Sequence, residues 1–270
     1  MNKGRIAGVL VLAVALGAGE SLQAQQNPAA RLQPKGLGVS PTFEGWYENP
    51  DGTYTLSWGF MNRNTEQILT IPAGSNNSVS PGTFDQGQPT HFIPRRTYGL
   101  FTVTVPADFG TEERVTWTLE ANGERYGIPG GLISSYETDN LYARGTDRYP
   151  PVVVLEEGGK ESRGPNGVWI GPLAARVGQP LSLTVTAWDE DEREVNLRWF
   201  KYDGPGEVTF EEQEMAIAEG SVEATTTASF SEPGNYVVFV RAGHTDTRVA
   251  SAGMEQCCRT NGYVRVTVAR

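Results

Sequence analysis

Apolar and polar residues alternate in short runs along most of the chain. Tyr54, Leu56, Trp58 and Phe60 alternate with Thr55, Ser57, Gly59 and Met61. That period of two predicts a half-buried β-strand. Leu181, Leu183, Val185 and Ala187 repeat the pattern, as do Val195, Leu197 and Trp199. Further strand-like runs lie at 43–48, 67–71, 100–105, 115–121, 152–155, 222–230, 236–241 and 263–268. Turn chemistry divides them. Asn49-Pro50-Asp51-Gly52 joins a residue that fixes φ to one that accepts positive φ. Asn122-Gly123 is a hairpin signal. The segment 211–218 is the one helix candidate, and it is short. Short strands divided by turns predict an all-β fold of two tandem β-sandwiches.

The first residues differ from the rest. Lys3 and Arg5 precede an apolar run at 6–17, and Leu22-Gln23-Ala24 ends it with a small residue. This order predicts a secretory signal peptide over 1–24, with an uncleaved anchor as the alternative. The expected location is secreted, periplasmic or otherwise extracytoplasmic. The polar, proline-containing segment 25–38 reads as a flexible tether. A first β unit is expected over 39–135, a linker over 136–149 and a second β unit over 150–270.

The second unit carries three recognisable pieces. Val177-Gly178-Gln179-Pro180-Leu181 leads into a strand ending at Trp188-Asp189-Glu190-Asp191. Leu197-Arg198-Trp199 supplies a tryptophan within a strand. Phe230-Ser231-Glu232-Pro233-Gly234-Asn235-Tyr236 bends at Pro-Gly and restarts at tyrosine. Together these resemble the polycystic-kidney-disease (PKD) repeats and related immunoglobulin-like domains of secreted and surface proteins. The resemblance implies a β-sandwich with Trp199 in its core. It departs at Lys201-Tyr202-Asp203-Gly204-Pro205-Gly206, where PKD repeats often carry a Gly-Asp-Gly run. It names no ligand, because such sandwiches host many roles. The whole chain resembles uncharacterised bacterial secreted proteins.

Composition narrows the partners. With 22 Lys+Arg against 32 Asp+Glu, the net charge is −10 at pH 7. That balance disfavours nucleic acid and anionic membrane surfaces. No second apolar run could span a bilayer, so no membrane span is expected in the mature chain. The 2 cysteines, Cys257 and Cys258, are adjacent. They can form a vicinal disulfide, hold a soft metal such as Cu(I) or sit buried as a structural pair; an oxidising compartment favours the disulfide.

Catalytic signals are absent. The chain has 2 histidines, His91 and His244, and no nucleophile-elbow, zincin, thiol-redox or phosphate-loop motif. The segment 73–96 reads as a long polar loop, and long loops in compact domains often carry function. It groups His91, Arg95 and Arg96, with Trp46 and Trp58 as aromatic faces it could fold over. An arginine there could bind an anionic or polyhydroxylated partner. Neighbouring extended positions point to opposite faces, so only one of the two arginines is expected to face a ligand. Asp189 and Asp191 belong to an acidic turn that could offer oxygens to Ca²⁺, although a solvated turn explains it as well. No cofactor is expected. The leading expectation is a non-enzymatic binding or adhesion-type protein, its partner a glycan or a protein at the cell envelope. The alternatives are a secreted hydrolase or carbohydrate-active protein using the His91 loop, and a structural subunit of an envelope assembly.

Overall fold

The computed structural model describes residues 32–138, 149–156, 158–217, 222–244 and 259–270. These residues fold into β-strands and a single 3-10 turn at Ser134–Tyr136. The expected leader over 1–24 and the cysteine pair lie outside them, as does most of the expected linker. Among the described residues, no helix is long and apolar enough to cross a membrane.

The first strands form three sheets. β1 (Val39–Glu48), β2 (Tyr54–Asn62) and β6 (Arg95–Val105) make one; β4 (Asn77–Ser80), β7 (Val115–Ala121) and β8 (Glu124–Gly130) make another. β3 (Leu69–Thr70) and β5 (His91–Phe92) pair as a short third sheet. The predicted turns are present. Gly52 N–H donates to Asn49 O at 2.9 Å. Asn122 and Gly123 take φ of 52° and 78° between β7 and β8, where Ala121 pairs with Glu124. Positive φ at both central residues gives the twist a two-residue hairpin needs. The core between the sheets is aromatic. Trp58 lies 5.2 Å from Phe43 and 6.0 Å from Phe101, and Phe101 lies 5.3 Å from Trp117, measured between ring centroids. Of the expected tether, 32–38 is tied to these strands: Leu37 N–H donates to Asn64 Oδ1 at 2.8 Å and Gly36 N–H to Gln67 Oε1 at 2.8 Å.

The later strands form a sandwich of two sheets. One has the order β13 (Val208–Phe210), β15 (Glu223–Phe230), β11 (Leu181–Trp188), β9 (Val152–Val154). The other has the order β10 (Val168–Arg176), β17 (Arg259–Ala269), β16 (Gly234–His244), β12 (Val195–Asp203), β14 (Glu214–Ala216). Leu183 and Val185 of the first sheet share a buried cluster with Trp199, Val238, Val240 and Val266 of the second. The strand order is immunoglobulin-like, and two further features of that fold are present. Trp199 is fully buried on β12, between β16 and β14 in the second sheet. Tyr236, near the start of β16, turns its O–H back to Glu232 O at 2.9 Å, while accepting Gly206 N–H at 3.0 Å. The chain is therefore all-β, built from tandem sandwiches.

Two expectations change. The helix candidate at 211–218 contains β14 instead. Met215 pairs with Leu197 and packs on the core, and Trp199 N–H donates to Gln213 O at 2.8 Å. Tertiary pairing overrides a weak local preference. The second change concerns β2, which is buried on both faces: Thr55 and Ser57 are as inaccessible as Leu56 and Trp58. Its polar face is covered by the second sandwich. Asn166 donates to Thr55 Oγ1 at 2.8 Å and accepts from Thr102 Oγ1 at 2.8 Å. Phe200, Tyr202, Phe239 and Tyr263, on the outer face of β12–β16–β17, join the aromatic core of the first strands. The Tyr263 O–H donates to Leu100 O at 2.9 Å.

A charge cluster lies inside this contact. The Glu44 side chain is 1% exposed and accepts from Arg96 Nη2 at 3.0 Å and from Gly99 N–H. Arg241 is buried and donates to Tyr98 O and Gly99 O. Burial raises the Glu44 pKa against the opposing pull of Arg259, Arg96 and Arg241. Burial, with Arg259 nearby, pushes Arg241 down to about 9, so it still carries its charge at neutral pH. Removing one member of such a cluster strands the others. Glu44→Ala should lower the unfolding free energy by about 3 kcal/mol or more, read from urea denaturation against the parent chain.

Candidate functional site

The segment 73–96 does not stay a loop: β4, β5 and the start of β6 lie within it. Its ordered strands direct its side chains to different places. His91 is buried, and its Nδ1 has no hydrogen-bond partner among the described residues. Burial and the nearby Lys201 push its pKa down to about 4. Arg95 is exposed, with φ of 73°. Arg96 turns the other way to Glu44 and lies 4.6 Å from the Tyr98 ring centroid. Trp58 is inside the core, and Trp46 donates its indole N–H to Ile133 O at 2.9 Å. These five residues do not converge on one surface.

The acidic turn is also internally bonded. Asp189 Oδ1 accepts from Asp191 N–H at 2.9 Å and Arg193 N–H at 3.2 Å. Its Oδ2 lies 3.3 Å from His244 Nε2, with both side chains 2% exposed. Asp191 pairs with Arg193 at 3.5 Å. Among the described residues, no three side chains of metal-ligating type gather.

A concave feature lies elsewhere. A cleft of about 1330 Å³ opens where the first strands meet the outer face of the second sandwich. Trp169, Tyr202, Tyr263 and Arg265 line it from the second sandwich. Asp51 of the first turn and Asp85 to Gln88 of the 73–96 segment line it from the other side. The segment singled out by sequence thus reaches the cleft through residues preceding His91.

Local pairing explains the aromatic floor. β10 runs parallel to β17 and sets Trp169 beside Tyr263. Their rings stack at 4.1 Å with an interplanar angle of 6°. Tyr202 meets both edge-on, at 6.1 Å from Trp169 and 5.3 Å from Tyr263. Tyr202 and Tyr263 are buried, while Trp169 remains 36% exposed. Tyr202 is anchored by its O–H to Gly87 O at 2.6 Å. Opposite it, Thr90 Oγ1 donates to Asp203 Oδ1 at 2.5 Å and Thr90 N–H to Tyr202 O at 3.1 Å. Burial raises the pKa of both tyrosines, so both remain neutral donors at physiological pH. Sequence reasoning missed Trp169 because the run around it is interrupted by Gly171-Pro172 and lacks clean alternation.

No family model and no curated protein matches the sequence. Solved structures share its shape only distantly. The D00-D0 domain of intimin is 12% identical, with 86% of this chain and 100% of that chain covered and a TM-score of 0.28. Domains 4 and 5 of the S-layer protein SbsC are 13% identical, over 62% of this chain and 69% of that one, at 0.27. WR4, an MSP family member of C. elegans, is 6% identical, over 38% and 91%, at 0.28. Similarity at this level carries no argument about function.

The His91 environment makes a pH prediction. The unfolded chain takes up the imidazole proton near pH 6.5, whereas the folded chain does so only near 4. The folded state is therefore disfavoured progressively as pH falls from 6.5 towards 4, with no effect from this group above that window. The loss is at most about 3 kcal/mol. His91→Gln should flatten that part of the curve of melting temperature against pH, measured from pH 7.5 to 4.

Proposed function

We propose that this chain is an exported, non-enzymatic binding protein of the cell envelope or its surroundings, and that its ligand sits in the cleft around Trp169. The observation that carries this reading is a large aromatic ring left exposed in a concave, polar-rimmed site while its neighbours are locked. Sites for small ligands are typically concave, with aromatic walls and a few convergent polar groups. Export rests on the leader pattern of 1–24, and the division into two units on the turn- and linker-like composition of 136–149. The likeness of the second sandwich to PKD repeats belongs to the same reading.

A melting-temperature screen of the mature protein tests it. Ligands bound only by the folded state raise its stability by mass action, about 2.7 kcal/mol at a hundredfold excess over Kd. The panel should span oligosaccharides, peptides and small anions. At least one class should stabilise the protein without being consumed. Thr104→Trp, a filling change at an exposed position lining the cleft, should abolish that stabilisation while the protein alone melts near the parent temperature. Stabilisation that persists in this variant, or product formed from the ligand, would refute the reading.

A further inference from the structure

We infer that the cleft takes a polyhydroxylated chain, an oligosaccharide, with a sugar ring laid against Trp169. This rests on the proposed role of the cleft as a ligand seat. A pyranose presents C–H groups on its faces and hydroxyls around its rim. Its recognition needs a rigid aromatic face and planar polar groups set beside it. The electron-rich face of an aromatic ring attracts polarised C–H groups.

The aromatic ring is fixed in place before the ligand arrives. Trp169 cannot swing freely, because one ring face is stacked on Tyr263. Tyr263 is in turn fixed through its O–H to Leu100 O at 2.9 Å and by Asn261 Nδ2, which donates to it at 3.1 Å. An anchored ring loses little freedom on binding, which is how preorganisation raises affinity. Arg265 is exposed and holds its guanidinium carbon 4.7 Å from the Trp169 ring centroid. It lies over the ring, and this exposed side chain moves aside for a sugar laid there while keeping its planar N–H donors within reach.

The polar groups are equally set. Asn166 is oriented by its bonds to Thr55 and Thr102 at 2.8 Å each, and its amide retains one further N–H and acceptor capacity. Asp203 Oδ1 takes bonds from Thr90 Oγ1 and Gly204 N–H, at 2.5 and 2.8 Å, so Oδ2 is left to accept from a hydroxyl. Planar amide, carboxylate and guanidinium groups suit vicinal hydroxyls, to which they can bond in pairs.

Charge and size narrow the class. Lys160 and Arg265 share the lining with Asp51, Asp85, Glu161 and Asp203, and Arg163 is paired with Glu190. This mixture gives no cationic field for a phosphate or nucleotide. The volume of about 1330 Å³ exceeds the roughly 300–1,000 Å³ usual for small-molecule sites. A chain of sugars fills such a cleft where a single one does not.

The test is titration calorimetry of the mature protein with cellohexaose, xylohexaose, maltohexaose and chitohexaose, trigalacturonate as the acidic arm, and a pooled decapeptide library. At least one neutral oligosaccharide should bind saturably at one site. Trp169→Ala should weaken it by about tenfold or more, while Trp169→Phe, which keeps a ring, retains most of the affinity. Both variants must melt as folded proteins, which the phenylalanine variant secures if the alanine one does not. The oligosaccharide inference fails if no neutral sugar binds, or if Trp169→Ala and Thr104→Trp both bind it as the parent does. Tight binding of trigalacturonate alone, lost in Arg265→Ala, also overturns it. Peptides captured in a Trp169-dependent way would overturn the ligand class and leave the cleft as the binding site; no ligand of any class sensitive to Thr104→Trp would remove both.

Discussion

Burying one carboxylate among several guanidiniums between two sheets sets the terms on which the rest of this molecule is arranged. Glu44 projects from β1 and meets Arg96 of β6, with Arg241 of β16 and Arg259 of β17 close enough to pull on its ionisation. Burying a charge costs several kcal/mol unless its partners are placed to compensate, and a slip of either sheet would remove them. The backbone shares in the arrangement: Arg241 spends its donors on Tyr98 O and Gly99 O, and Asn261 Nδ2 donates to Gly99 O at 2.8 Å. Gly99 takes φ of 47°, and the Arg259 guanidinium would lie 3.2 Å from a Cβ there. The cluster thus favours one way of docking the second sandwich on the first strands. The aromatic contact of Phe200, Phe239 and Tyr263 supplies apolar burial, and the charges discriminate among its possible registers.

That docking generates the cleft. Neither group of strands makes it alone: the aromatic floor comes from β10, β12 and β17, and the facing wall from the first turn and the approach to β5. Thr90 joins the two sides through Asp203, and Gly87 does so through Tyr202. The cleft therefore depends on the same contact that the buried charges orient.

The sequence showed much of the fold and little of the site, for reasons visible in particular residues. Alternation found β2, β11 and β12 because their core faces are apolar and their turns carry Gly, Pro and Asn. It misjudged the burial of Thr55 and Ser57, since small polar residues covered by another sandwich look the same in sequence as solvated ones. The Pro233-Gly234…Tyr236 segment was legible because its bend and its tyrosine hydrogen bond are local. Trp169 was not, because its meaning comes from Tyr263, a partner reached only through a parallel pairing of strands remote in sequence. His91, Arg95 and Arg96 drew notice as the unusual chemistry of a polar stretch, yet strand geometry sent one inward, one outward and one to Glu44.

The parallel pairing of β10 with β17 has a mechanical side. Val168 stands opposite Gly262 and Arg176 opposite Ala269, so the two strands run the same way along the edge of the sheet. A pull applied at the start of β10 and at the end of β17 draws them in opposite directions along their length. The ladder is then loaded in shear, with its hydrogen bonds sharing the force together instead of parting one after another as in a hairpin peeled from its open end. In a chain held at both ends, the strand pair that carries the Trp169–Tyr263 stack is also the one placed to bear tension.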